Sequence, residues 1–248
     1  MTCMKSLWLA VVCTCVLAGA AQSAVMISDA FAGHANGASL KGTVTDVGNA
    51  TWNAGSSSGS GLTFATGDFV QSSVTNKVNW VPYAPAVGDI CTVSVDVNLP
   101  ASGKVDFGFD SANGSWPQAG SNAYNFLVYL EVQQSGAWIL KYRNASGANG
   151  QTGVGSGNVG ALTTGTFYTM ALQWDLATKT ANAWINGAPV VTGKVITNIN
   201  ANPVAYAGFG NNGSGTLKVD NFAVDVVPEP ATLVLLVVSA SWIVRRRC

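Results

Sequence analysis

Asp106 and Asp110 stand four residues apart in Val105-Asp106-Phe107-Gly108-Phe109-Asp110, a run that alternates polar and apolar positions. Paired carboxyl groups about 5–10 Å apart are the apparatus of glycoside hydrolysis, one acting as acid and the other as nucleophile or base. In a strand, four residues at about 3.3 Å each set the two Cα atoms about 13 Å apart. That is too far for a retaining pair and awkward for an inverting one. Glu131, the only glutamate between residues 25 and 227, lies in Tyr129-Leu130-Glu131-Val132-Gln133 without an acidic companion. The two aspartates therefore read as solvent-face residues flanking a buried Phe107/Phe109 pair, or the reverse, and a hydrolase is disfavoured. His34 is the only histidine and falls in the loop-like Gly33-His34-Ala35-Asn36-Gly37. A single imidazole builds neither a zinc cluster nor a Ser-His-Asp triad. Cys91 is the lone cysteine of the middle of the chain, in an apolar strand-like run that suits a buried, inert thiol. No Gly-rich phosphate loop followed by Lys-Ser/Thr occurs.

Binding chemistry is better represented. Rings with an apolar face and polar neighbours suit sugars, whose C–H faces stack while Asn, Gln and Asp bond the hydroxyls. Trp116 lies in the turn-rich Asn113-Gly114-Ser115-Trp116-Pro117-Gln118, with Asn122, Tyr124 and Asn125 close behind. Trp80 and Tyr83, in Trp80-Val81-Pro82-Tyr83, form a second candidate. Each group has a plainer reading as core or rim packing. Calcium, which collects oxygen ligands, is a candidate cofactor at Asp29 and Asp220 if the first and last strands lie together; both also read as capping or turn residues. Nucleic acid is excluded as a partner on charge. The 248 residues carry 12 Lys+Arg against 12 Asp+Glu, so there is no basic excess to displace counterions. Charged residues make up 10% of the chain, against roughly 25% in ordinary soluble domains, and Gly, Asn, Ser and Thr take their place.

These residues sit on strand-like runs. Ile90–Val97, Val105–Asp110, Ala123–Val132, Ala137–Arg143, Phe167–Trp174, Ala181–Ile185 and Leu217–Val226 alternate apolar and polar residues at period two. Asn-Gly occurs at Asn36, Asn113, Asn149, Asn186 and Asn212, and Asn186-Gly187 between two apolar runs predicts a tight hairpin. Between residues 25 and 227 no run has helical periodicity. Residues 25–226 thus predict one all-β domain, an antiparallel two-sheet sandwich. From Val25 to Val227 eight basic residues face eleven acidic ones, a net charge of −3. Ser146–Gly160, rich in Gly, Ala, Asn and Ser, reads either as a loop over one face or as a weak edge strand.

The ends read as addresses. Lys5, the apolar Leu7–Leu17 and the small residues Ala18-Gly19-Ala20-Ala21 have the layout of a secretory signal peptide over residues 1–24. Cleavage after Ala20, Ala21 or Ala24 would fit, with a signal peptidase as partner. At the other end Pro228-Glu229-Pro230 precedes the apolar Ala231–Val244 and the cluster Arg245-Arg246-Arg247. Fourteen helical residues span about 21 Å, a short transmembrane helix whose arginines stay on the cytoplasmic side.

Two resemblances follow from these residues. The order Pro228-Glu229-Pro230, short apolar helix, Arg245-Arg246-Arg247 over residues 227–248 resembles the PEP-CTERM sorting signal of Gram-negative bacteria. It implies processing by an exosortase-like membrane protease, a transient inner-membrane tether, and delivery to the cell surface or extracellular matrix beside exopolysaccharide. Phe167–Asp175 followed by Ala181–Gly187 resembles the paired strands of laminin-G-like, concanavalin A-like jelly rolls, one strand ending in Asp and the next in Asn-Gly. Val219–Val224 resembles their closing strand, and Ser28-Asp29-Ala30-Phe31 the opening of exported members. That fold also hosts laminarinase-type enzymes, whose Glu-x-Asp-x-x-Glu signature is missing around Glu131. The expectation is an exported, non-catalytic, polysaccharide-binding sandwich. A structural or adhesive matrix protein and a divergent glycosidase are the alternatives.

Overall fold

The computed structural model describes residues 23–55, 61–75, 77–111, 126–145 and 151–227. These residues form fifteen strands: β1 (Ala24–Asp29), β2 (Asn53–Gly55), β3 (Thr63–Ala65), β4 (Phe69–Ser72), β5 (Lys77–Pro82), β6 (Ile90–Asn98), β7 (Lys104–Ser111), β8 (Phe126–Gln133), β9 (Ala137–Arg143), β10 (Gln151–Asn158), β11 (Tyr168–Asp175), β12 (Thr180–Ile185), β13 (Ala188–Val195), β14 (Val204–Asn211) and β15 (Leu217–Val227). An eight-stranded sheet runs β13-β12-β11-β6-β15-β4-β3, with β1 also on β15; a seven-stranded sheet runs β10-β9-β8-β7-β14-β5-β2. The strand pairs are antiparallel throughout, as in β6 with β11 and β15. Among the described residues no helix is long and apolar enough to cross a membrane. The segments read as signal peptide and sorting tail, residues 1–22 and 228–248, lie outside the described residues.

Alternation decides which side of each strand is buried. In β6, Cys91, Val93, Val95 and Val97 point inward between the sheets while Thr92, Ser94 and Asp96 point outward. β11, β12 and β15 repeat the pattern. Each fully buried Val, Leu or Phe contributes about 1.5–3 kcal/mol of hydrophobic stabilisation, enough in sum to dispense with a disulfide. The expected hairpin joins β12 to β13. Asn186 and Gly187 take φ of 52° and 78°, and Ile185 faces Ala188 across a two-residue loop. Such a loop needs positive φ at both central residues, which Asn and Gly tolerate. Of the two readings of residues 146–160, Gln151–Asn158 forms an edge strand, β10.

One core knot corrects a sequence reading. Trp52 meets Phe222 at 4.9 Å and Phe209 at 5.5 Å between ring centroids, and Phe31 at 5.8 Å. Its indole Nε1–H donates to Asp29 Oδ2 at 2.6 Å, and Phe31 N–H donates to Asp29 Oδ1 at 2.8 Å. Both oxygens of the buried Asp29 are therefore already taken, as a buried carboxylate requires. The first and last strands do lie together, with Asp29 opposite Phe222. Asp220, however, is half-buried on the outward-alternating side of β15, opposite Asp96, and accepts a hydrogen bond from Asn221 N–H. The two aspartates do not converge on a metal. Asp29→Ala strands two buried N–H groups, so chemical denaturation should show a loss of about 2–4 kcal/mol, equal with calcium or with chelator. A midpoint that rises on adding calcium to the native chain, and not to the variant, would restore the metal reading.

Candidate functional site

The outer face of the seven-stranded sheet is assembled by register. One row crosses five strands: Trp80 on β5, Gly208 on β14, Gly108 on β7, Tyr129 on β8 and Lys141 on β9. The neighbouring row is Val78, Gly210, Asp106, Glu131 and Ile139. The inner faces of β7 and β14 are filled by Phe107, Phe109 and Phe209, so the glycines of the same strands fall on the outer face. They fall there for want of room. A Cβ on Gly208 would collide with the Asn79 carbonyl oxygen and come within 2.9 Å of Trp80 Cβ. One on Gly108 would collide with the Val128 carbonyl oxygen and come within 2.8 Å of Tyr129 Cβ. Trp80 packs with Val78 and Tyr129 in a small apolar cluster separate from the main core. Lys141 Nζ lies 5.8 Å from the Tyr129 ring centroid, a cation–π contact. The result is a buried apolar patch, Val78, Gly108, Gly208 and Tyr129, with a half-buried indole at one edge and charge at the other.

The charges form a chain that runs from the partly exposed lysines Lys104 and Lys141 to the buried carboxyls. Glu131 Oε2 accepts from Lys141 Nζ at 2.6 Å, and Glu131 Oε1 accepts from Gln133 Nε2 at 3.2 Å with Lys104 Nζ at 3.9 Å. Burial works against the Glu131 charge, but the hydrogen bond and charge of Lys141 outweigh it and hold the carboxyl below its ordinary range. Asp106, directly opposite on β7, goes the other way. Complete burial, then the Glu131 charge, push it well above the usual carboxylate range, against Lys141 and a 2.9 Å hydrogen bond from Asn212 Nδ2. Its Oδ1 has no hydrogen-bond partner, the place for a proton. Asp110 is pushed up to about 7 by burial, offset by the Ser111 N–H and the Arg143 charge. Asp110 Oδ2, Ser111 Oγ and Arg143 Nη1 are likewise buried without hydrogen-bond partners. Asp110 and Ser111 are fully buried, so these unpaired atoms are closed to a ligand arriving from solvent.

This placement corrects several expectations. Asp106 and Asp110 are not solvent-facing: both are 0% exposed, although Phe107 and Phe109 are buried as expected. The carboxyl that register brings beside Asp106 is Glu131, not Asp110. Tyr83 is a core residue. It packs against Phe109 and donates its hydroxyl to Cys91 Sγ at 3.1 Å, which removes it from any surface a sugar could stack on. Burial pushes the Cys91 thiol up to about 11, in keeping with an inert cysteine. His34 is exposed and stacked on Phe64 at 4.0 Å. Trp80 is on the face. Trp116, Asn122, Tyr124 and Asn125 lie outside the described residues, as do Pro228, Glu229, Pro230, Arg245, Arg246 and Arg247. Among the described residues no three His, Cys, Asp or Glu side chains cluster as a metal cage. Gly108, Gly208, Tyr129 and Lys141 were missed from the sequence. The signal for the glycines was present as Phe107-Gly108-Phe109 and Gly208-Phe209-Gly210, where the alternation assigns one face to Phe and the other to Gly.

No protein-family model matches the chain, and no curated protein matches it. Solved structures do. The carbohydrate recognition domain of Emp47p is similar over 83% of this chain and 97% of its own, with a TM-score of 0.54 and 12% identity. The metal-free form of the Emp46p carbohydrate recognition domain is similar over 70% of this chain and 87% of its own, at TM-score 0.51 and 8% identity. The Trypanosoma rangeli sialidase, as its covalent intermediate with 2,3-difluorosialic acid, matches 81% of this chain at TM-score 0.51 and 12% identity, but only 30% of the sialidase is covered. Identities this low establish the fold alone, an antiparallel two-sheet sandwich shared with these domains.

The electrostatics of this face set a pH test. An aspartate whose folded-state proton affinity is raised keeps its full stabilising contribution below about pH 4, its unfolded value, and loses it as pH climbs toward the folded value. Asp106→Asn cannot ionise. Its melting temperature should therefore gain on that of the native chain steadily from pH 4 to neutrality. A margin that narrows over that interval would contradict a protonated Asp106.

Proposed function

We propose that this chain is an exported, non-catalytic carbohydrate-binding sandwich whose binding face is the outer face of the seven-stranded sheet. The observation that carries the reading is Trp80, a half-buried indole at the edge of the otherwise buried row Gly208–Gly108–Tyr129. A pyranose ring would stack its C–H face on the accessible part of Trp80, with Tyr206 of β14, Asn53 of β2 and Lys141, each partly exposed and within the same rows or the next, to bond its hydroxyls. The likeness to lectin domains supports the reading at the level of fold. The sorting-signal resemblance of residues 227–248 supports export, membrane tethering and release by an exosortase-like protease near Pro228-Glu229-Pro230. Cleavage there would spare the fold, because β15 ends at Val227.

One observation favours catalysis as a second reading. Asp106 and Glu131 are cross-strand neighbours, a spacing compatible with a retaining glycosidase pair, and their proton affinities are driven apart. Against it, the two residues are 0% and 4% exposed and Glu131 is locked by Lys141. A structural role explains all of these facts.

Retention of the purified protein on the exopolysaccharide of the producing bacterium tests both readings in one tube. Trp80→Ala should weaken retention by about tenfold or more, about 1.4 kcal/mol, while shifting the melting temperature by no more than about 4 °C. Undiminished retention would move the site elsewhere, and Trp116→Ala in parallel asks whether it moves there. Reducing sugar released by the native chain and abolished by Glu131→Gln would replace the binding reading with the catalytic one.

A further inference from the structure

Strand register lines up one rim of the eight-stranded sheet. Val227, the last residue of β15, pairs with Ile90, Ile90 with Asp175, Asp175 with Thr180, and Thr180 with Val195. Ala24 pairs with Val226, so the chain enters and leaves the sandwich on this same rim. Large apolar side chains stand exposed around it: Val25 at 54%, Met26 at 49%, Val195 at 54% and Val87 at 92%. Val87 is held out by a tight turn three residues before Ile90. Asp89 N–H donates to the Ala86 carbonyl oxygen at 3.2 Å, Ala86 N–H donates to Asp89 Oδ2 at 2.8 Å, and Gly88 takes φ of 96°. Positive φ at the third residue of such a turn calls for glycine. The root of the loop is pinned by the buried Tyr83, and Pro82, Ala84 and Ala86 beside the tip are exposed. The acidic groups at this end are partly exposed and engaged in local turns: Asp89 caps the turn, and Asp175 Oδ1 accepts from Ala177 and Thr178 N–H at 2.9 Å each. Asp225, opposite Val25, is half-buried. Lys179 and Lys194 are exposed.

A single exposed valine is ordinary. This rim differs because of what leaves it. The apolar run Ala231–Val244 begins four residues after Val227, and four residues of fully extended chain reach at most about 14 Å. Insertion of that run in a bilayer leaves the rim no farther than that from the hydrocarbon, at the depth of the headgroups. Apolar tips flanked by lysine are the chemistry that settles there.

We infer that the rim carrying Val25, Met26, Val87 and Val195 is a lipid-facing surface on which the sandwich rests while its tail is in the membrane, the Val87 turn entering the interfacial layer. The inference rests on the reading of residues 231–244 as a membrane tether. The outer face of the seven-stranded sheet is then held above the bilayer in a fixed orientation instead of tumbling on its linker.

The test uses the chain as it stands after removal of the expected signal peptide, residues 25–248, with Cys248 replaced by serine, which leaves only the buried Cys91. An environment-sensitive fluorophore is placed on Val87→Cys or, as control, on Val74→Cys, which is also exposed but lies just past Ser72, opposite the start of β15 at the far end of the sheet. Mixed with phosphatidylethanolamine–phosphatidylglycerol vesicles, the chain should float with them. The label at 87 should shift to the blue and be quenched by a lipid-borne quencher, with the label at 74 unchanged. Flotation with both labels still in water overturns the inference and leaves the tether standing. Failure to float overturns both. A blue shift at 87 that needs no vesicles and grows with protein concentration overturns it in favour of contact with a second copy.

Discussion

Gly108 and Gly208 face each other across β7 and β14, and neither position has room for a Cβ. Glycine inside a strand costs stability, since it gives up side-chain packing and starts from a more disordered chain. Here the cost is offset from both sides. Phe107, Phe109 and Phe209 fill the inner face of the same two strands, and Trp80 and Tyr129 close in from the flanking strands on the outer face. The buried apolar patch, the indole at its edge and the buried carboxyls along the next row all depend on that close approach. Widening the sheet by a methyl group at either glycine would separate them.

The buried charges are held by the same frame. Glu131 keeps its charge because Lys141 reaches it, and Asp106 is pushed toward its neutral form first by complete burial and then by the Glu131 charge beside it. Two adjacent carboxyls share one site most cheaply when one of them is neutral. The pair thus resembles catalytic machinery in its electrostatics while being closed to solvent in its geometry. Trp80, half-buried one row away, is the part of this face that a ligand could meet. β15 ties the face to the rest of the molecule: it joins β6, β4 and β1, and its last residue lies on the rim from which the tail departs.

The fold class was legible in the sequence because alternation and Asn-Gly are local signals. β6, β7, β9, β11, β12 and β15 all lie where period-two runs placed them, and the Asn186-Gly187 hairpin formed as its dipeptide demands. β14 was not foreseen, since Gly208-Phe209-Gly210 lacks the β-branched residues that mark a strand. β10 was left between loop and strand for the same reason: its glycines pair well enough at an edge but carry little side-chain signal. The site was less legible than the fold. Trp80 could be singled out as an aromatic among polar residues, but nothing local separates it from Tyr83, three residues on and buried in the core. The partnership of Asp106 with Glu131 spans 25 positions and exists only through the register of β7 and β8. Asp29 looked like an oxygen ligand for calcium because the Trp52 N–H that occupies it is 23 residues away.

The central claim is that sugar is met on the outer face of the seven-stranded sheet and not on that of its partner. Trp184 of β12 offers the comparison, a half-buried indole on the outward-alternating side of the eight-stranded sheet. Hydroxyl-radical footprinting of the full chain, with and without the polysaccharide, reads each indole separately. The account predicts that oxidation of Trp80 falls on adding polysaccharide while that of Trp184 is unchanged. Protection of Trp184 with Trp80 unaffected would contradict it.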